Sequence, residues 1–474
     1  MIKLDEIDEL GINEINKLYS EHVSIGIPKI LRMLGFEKET PEFAEGMYIY
    51  TKNGKKIHDF TGGISVLNLG HNHPRILKCR HQFNQEKRME VWKLFLSPYL
   101  AALSKNLSDI SPGNLNYSFF CNSGAEANEG AIKIASKYQG PKKDKIIYTD
   151  ISYHGKTHAT LSVSGIEESK KYFKQLDGCI QIPYGDWKSF EKIIKTQCRN
   201  DTSQNDIIAI ILEAVNAGKI IVPPKGYLHN IRRLCDEYEI LLIIDDVFCG
   251  FGRTGKMFSF EHENIIPDIF TVSKSLGGGK GSIAAYIAKD EIYKKAYGDI
   301  KNYMIHSTTF NGFGEECYTA IEAINIIIDE NLVDNSRLMG KYIRSELNIL
   351  KSKYPKIIKN VKGIGLLNGI ELNNPSKKII SSLGIGIPFF KDLGQNILPG
   401  IILSQLFYRY NILLTSGVHS ANLIVINPAL IVTKENIDYL INSLDDYFSN
   451  GFVGMLTSYG KMKISSAITN LYSP

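Results

Sequence analysis

The sequence predicts an α/β protein: a large domain with a mainly parallel sheet covered by helices, a smaller C-terminal α/β domain, and an N-terminal arm. Three observations predict it. Short apolar runs rich in β-branched residues alternate with amphipathic stretches between about 115 and 300. A second such alternation begins near 330. The 474 residues also exceed the roughly 250–300 that a single core encloses. The expected division is 1–75 for the arm, which contributes to the small domain and the functional site, 76–330 for the large domain, and 331–474 for the small one.

The elements follow in order. Residues 1–75 read as irregular, and TGGISVLNLGHNHP (61–74) reads as loop because glycine and turn residues dominate it. His71 and His73 suggest a metal pair, but no third ligand stands near them, and a turn before Pro74 explains them better. Strands are predicted at 117–120, 145–149, 207–212, 240–244, 269–273 and 283–288. A helix is predicted over 125–139, where Ala127, Ala131, Ile134, Ala135 and Tyr138 share a face and Gly140-Pro141 ends it. A second helix spans 226–238, with Leu228, Ile231, Leu234, Cys235 and Tyr238 on one side. Beyond 330 come a long helix near 333–353, strand-like stretches at 363–372 and 422–427, and a helix from about Thr433 to 448. The tail after 450 is left unassigned.

Composition is globular, with 43% hydrophobic and 22% charged residues. The net charge of +5 is too small to argue for nucleic acid, and the pairs Lys142-Lys143 and Lys377-Lys378 read as solvated surface. Seven widely spaced cysteines without a CxxC fit reduced thiols in a cytoplasmic protein. Apolar runs such as IIAIILEAV (207–215) are too short for a membrane span, and no signal-peptide core opens the chain.

Ligands of open parallel sheets bind beyond the carboxyl ends of the strands. Three stretches place polar residues there. In FFCNSGAEANEG (119–130) a strand gives way to a helix, so Ser123, Gly124 and Ala125 offer free N–H groups to an anion. Gly124 also leaves room for a close approach. Taken alone, a cap by Asn122 or Ser123 explains this stretch better. In LLIIDDVFCGFGRTG (241–255) an apolar run leads into Asp245, a carboxylate that needs a positive partner such as a pyridinium nitrogen. The glycine run GFGRTG (250–255) is not read as a dinucleotide turn, on the expectation that it departs from the G-x-G-x-x-G spacing. In DIFTVSKSLGGGKG (268–281) Lys274 stands at a strand end, where desolvation makes an amine nucleophilic.

Together with EHVSIGIP (21–28), LGHNHP (69–74), YHGKT (153–157), HSTTF (306–310) and PALIVTKENID (428–438), these stretches resemble the class III aminotransferases that depend on pyridoxal 5′-phosphate (PLP). The resemblance runs from about 20 to 448 and is strongest toward putrescine and ω-amine aminotransferases, some of which aminate fatty or polyketide aldehydes. It implies the fold-type-I PLP-transferase architecture and a homodimer with shared active sites. It implies that Lys274 forms the Schiff base and that Asp245 pairs with the pyridine nitrogen. Ser123, Gly124 and Ala125 match the phosphate turn. Tyr153 matches the residue stacked on the cofactor ring, with Val247 on the other face and His154 and Phe248 also at the cofactor. Thr309 matches a threonine that reaches the neighbouring subunit's phosphate. Ile64, Ser65, Glu213, Gly218 and Val425 fall around the substrate.

The resemblance further implies a ping-pong cycle from a donor amine to a carbonyl acceptor, a keto acid or an aldehyde, with Lys274 as general base and acid. Phe248 stands where many relatives carry a glutamine that bonds the ring hydroxyl. Val425, in LIVINPAL (423–430), replaces an arginine that grips a carboxylate, and Gly218, in EAVNAGKI (213–220), replaces its glutamate partner. The expected substrate therefore lacks an α-carboxylate at that position. The alternatives are an aminomutase of the glutamate-1-semialdehyde type and a catalytically silent PLP-binding protein.

Overall fold

The computed structural model describes residues 1–36, 39–197, 205–373, 397–417, 420–452, 454–455 and 457–459. Lys377-Lys378, Cys198 and most of the tail after 450 lie outside them.

A seven-stranded sheet forms the centre. Its spatial order is Leu115–Cys121, Ala284–Lys289, Ile269–Val272, Leu241–Asp245, Ile207–Leu212, Lys145–Thr149, Cys179–Ile182. All neighbours pair in parallel except Ala284–Lys289, which runs antiparallel to both of its partners. Every residue of Ile207–Leu212 and of Leu241–Asp245 is buried, as expected for strands covered on both faces. The helices Gly124–Gln139 and Tyr227–Glu237 form where the apolar spacing predicts. The edge strand Cys179–Ile182 was not predicted, since its four residues, CIQI, are too few for a pattern.

A second, antiparallel sheet is ordered Ile358–Ile364, Leu367–Leu372, Ser420–Ile426, Thr415–Gly417. The stretch predicted as one run at 363–372 is therefore a hairpin. Its turn requires Gly365 at φ 52°, where a Cβ would sit 2.3 Å from the Thr254 carbonyl carbon. Thr433 caps the helix Lys434–Ser449 by accepting from Asn436 N.

The arm is not irregular. It contains the helices Ile12–Leu18 and Gly26–Leu34 and the strands Pro41–Glu45, Tyr48–Thr51 and Lys56–Asp59. Ile412–Leu413 completes that small sheet by pairing in parallel with Lys56–Asp59. These strands are too short and too polar to register as periodic runs, and their closing partner lies more than 350 residues away in the chain. The predicted loop after Asp59 contains a left-handed turn, with Gly62, Gly63, Ile64 and Ser65 at φ 51°, 56°, 59° and 69°. His71 and His73 bond different acids: His71 meets Asp59 at 2.8 Å and His73 meets Glu330 at 3.2 Å. No helix among the described residues is long and apolar enough to cross a membrane.

Candidate active site

Three adjacent strands end at the same edge. Ile207–Leu212 delivers Glu213, Leu241–Asp245 ends in Asp245, and Ile269–Val272 leads through Ser273 to Lys274. Register brings the last two together, because Asp245 lies opposite Thr271. All three line one cavity of about 700 Å³.

Asp245 is 5% exposed and accepts three hydrogen bonds. Its Oδ2 accepts from His154 Nδ1 and Asn128 Nδ2, both at 2.7 Å, and its Oδ1 accepts from Val247 N at 3.0 Å. A carboxylate offers about four acceptor sites, so capacity for one further N–H remains. Asn128 also donates to the His154 carbonyl at 2.9 Å and accepts from Thr271 Oγ1 at 2.8 Å. Sequence reasoning missed Asn128. The available signal was a polar residue on the buried face of the helix Gly124–Gln139, one position after Ala127.

Lys274 has a left-handed backbone, φ 46°, which costs a residue with a side chain on the order of 1–3 kcal/mol. Among the described residues its Nζ has no hydrogen bond or ion pair, and it lies 4.3 Å from the centroid of the Phe248 ring. Burial holds the amine below its ordinary value, while Asp245, Cys249 and Glu213 pull it the other way. Burial also pushes the Glu213 carboxyl up to about 7. That carboxyl accepts from Tyr153 N, Asn216 Nδ2 and Ala217 N, each at 3.0 Å, and so ties Tyr153 to the loop after the strand.

At the helix start Ser123 is the N-cap, and its Oγ accepts from Glu126 N at 3.3 Å. Ser123, Gly124 and Ala125 line the cavity, as do Tyr153, His154, Val247 and Phe248. A Cβ on Gly124 would meet Val247 Cγ1 at 2.8 Å, so glycine is required there by its packing against Val247 as well as by any ligand.

A sequence profile described as "Aminotransferase class-III" matches residues 38–448. The chain belongs to the class-III aminotransferase family. Among solved structures, this aminotransferase is similar to a transaminase from the marine bacterium Virgibacillus, with 25% identity, TM-score 0.80, and coverage of 94% of this chain and 99% of that one. An (S)-enantioselective ω-transaminase from Thermomicrobium roseum matches at 25% identity and TM-score 0.79, covering 94% and 98%. The ornithine aminotransferase of Toxoplasma gondii shares the fold at 23% identity and TM-score 0.78, covering 96% and 98%. The protein is thus a fold-type-I, PLP-dependent transaminase.

The cavity suits that cofactor. It presents an amine with no hydrogen bond or ion pair among the described residues, a buried carboxylate with one acceptor site open, and the free N–H groups of a sixteen-residue helix. Of the predicted substrate residues, Ile64, Glu213, Gly218 and Val425 line it. Ser65 does not. It is 1% exposed, donates to the Phe248 carbonyl at 2.9 Å and accepts from Arg253 Nε at 3.1 Å, so it packs behind the wall. Thr309 is exposed and stands outside the cavity of its own chain. Lys156, Cys249 and Asn427 also line the cavity and were not predicted. The run Gly250–Gly255 does satisfy the G-x-G-x-x-G spacing. Its context excludes a dinucleotide site, since turns and then the short 3₁₀ helix Ser259–Glu263 follow it, with no long helix opening there.

Proposed function

We propose that this transaminase moves an amino group between a diamine or other ω-amine and a carbonyl compound, by a ping-pong mechanism, in a homodimer with shared active sites. One observation carries the substrate reading. Val425 and Gly218 both face the cavity, and no arginine lines it among the described residues. A planar cation fork is the usual grip on an α-carboxylate. Here an apolar wall of Val425, Ile64 and Phe248 favours a methylene chain or an aldehyde tail.

When bound, PLP supplies the electron sink that makes the C–H bond beside the substrate nitrogen acidic. Asp245 would hold the pyridine N–H on its open Oδ1, and His154 and Asn128 orient that carboxylate. Ser123, Gly124 and Ala125 would hold the phosphate, with Tyr153 and Val247 flanking the ring. Phe248 offers the ring no hydrogen bond. Lys274 Nζ would hold the cofactor and, once freed by the donor amine, would move the proton from the amine-bearing substrate carbon to the cofactor carbon bonded to the substrate nitrogen. The exposed Thr309 fits a role toward a neighbouring subunit, and the six free described cysteines fit a cytoplasmic location.

Half-reaction spectroscopy tests this reading. Putrescine or a simple ω-amine is expected to convert the cofactor faster than glutamate does. A faster reaction with glutamate refutes it.

A further inference from the structure

We propose that Phe248 is a positioning residue for Lys274: the face of its ring holds the lysine's ammonium in place whenever the amine is not bonded to cofactor. The proposal rests on the reading of Lys274 as the cofactor lysine.

The geometry has three parts. First, Nζ lies 4.3 Å from the Phe248 centroid and has no hydrogen bond or ion pair among the described residues. A half-buried cation without a polar partner is costly, and an aromatic face is an electrostatic surface that can stabilise it there. Second, the ring is clamped. The Phe248 carbonyl accepts from Ser65 Oγ at 2.9 Å, and Ser65 is itself held by Arg253 Nε at 3.1 Å. The side chain packs against the cluster of Val215, Ile220, Leu367, Leu423 and Val425. Arm, large sheet and C-terminal sheet therefore all fix where the ring lies. Third, the left-handed backbone at Lys274 fixes the root of its side chain.

Other ionisable groups also act on the amine. Asp245, Glu213 and Cys249 surround it, and His154 and Lys156 line the same cavity. None of these groups is itself altered when only Phe248 is changed. A ring face stabilises the ammonium over the neutral amine, so removing the face lowers the pH at which the amine becomes nucleophilic. A desolvated cation–π contact corresponds to a shift of about one pH unit.

The test uses the full-length protein stripped of cofactor. PLP is added across a pH series, and the rate at which it is trapped on Lys274 by borohydride is followed by mass spectrometry. PLP's own ionisations are common to all variants. The midpoint for Phe248→Leu and Phe248→Met is expected about one unit below wild type, while Phe248→Tyr, which keeps the face, stays with wild type. The Met variant is a second ringless probe should Leu fold poorly. Ringless variants that titrate with wild type overturn the proposal. So does a Tyr variant that shifts as far as Leu, which would indicate packing alone. Trapping of wild type at a different lysine refutes the assignment of Lys274 itself and removes this proposal with it.

Discussion

Two cations near Phe248, the half-buried Lys274 and the buried Arg253, are treated in opposite ways. Arg253 is fully buried, and its guanidinium donates to Ser65 Oγ at 3.1 Å, Leu366 O at 3.3 Å, and Pro428 O and Asn68 Oδ1 at 2.5 Å each. Burial pulls it down to about 9, which leaves it charged at neutral pH. Those partners come from the arm, from the turn between Ile358–Ile364 and Leu367–Leu372, and from the segment after Ser420–Ile426, so one side chain ties three parts of the chain together. Lys274 receives no such satisfaction, and a ring face is its nearest support. The contrast separates a cation used as structural glue from one kept available for chemistry.

The largest test of that contrast is Lys274→Met. Transamination is expected to fall by about 10³-fold or more, while the urea midpoint of the cofactor-free protein stays level or rises, because a half-buried charge without a hydrogen bond or ion pair among the described residues is removed. Activity above about 1% of wild type would break the assignment.

Arg253→Met should show the reverse pattern. It strands the Asn68, Leu366 and Pro428 oxygens and is expected to cost about 3–5 kcal/mol in urea unfolding. Arg253→Lys should recover only part, since lysine keeps the charge but not the fork. A loss under about 1 kcal/mol for the Met variant would mean that Arg253 is not the tie described.

Two of the buried acids, Glu213 and Asp246, sharpen the comparison. Burial raises Glu213 and Asp246 to about 7 each, above their ordinary values of 4.5 and 3.8. An acid whose pKa is raised in the fold contributes stability that is present at low pH and lost as pH rises through the folded value. Between about pH 4.5 and 7, stability should therefore fall, by up to about 1.4 kcal/mol per pH unit for each group. Glu213→Gln should flatten that slope by one group's share, as read from urea midpoints at pH 5, 6 and 7. An unchanged slope would show that Glu213 is ionised throughout.

The smallest effect is expected from Gly124→Ala. The new Cβ would press on Val247 at 2.8 Å, costing about 1–2 kcal/mol and loosening cofactor retention in a dilution assay. Retention and stability equal to wild type would show that Val247 yields freely.

Legibility in the sequence followed pattern length. The strand Ile207–Leu212 and the helix Gly124–Gln139 were readable because six apolar residues in a row and a repeated buried face are strong signals. The arm strands Tyr48–Thr51 and Lys56–Asp59 were not, because four residues carry little periodicity and Lys56–Asp59 finds one of its two partner strands at Ile412–Leu413. Within the site, Asp245 and Lys274 stood out as polar residues ending apolar runs. Ser65 was misread as a pocket residue because the direction of a side chain in a left-handed turn depends on what packs behind it. Asn128 went unnoticed because its partners, Asp245 and Thr271, are distant in sequence.

The sequence by itself determined the sheet-forming runs, the helix that opens at Gly124, and the family, because these depend on local periodicity and on motifs whose residues are neighbours in the chain. Only the tertiary structure decided that Asp245 is held by His154 and Asn128, that Lys274 rests on Phe248, and that Arg253 rather than Lys274 bears the structural load. The physical reason is that satisfying a buried charge is a property of three-dimensional surroundings, and those surroundings are assembled here from segments as far apart as the arm and residue 428.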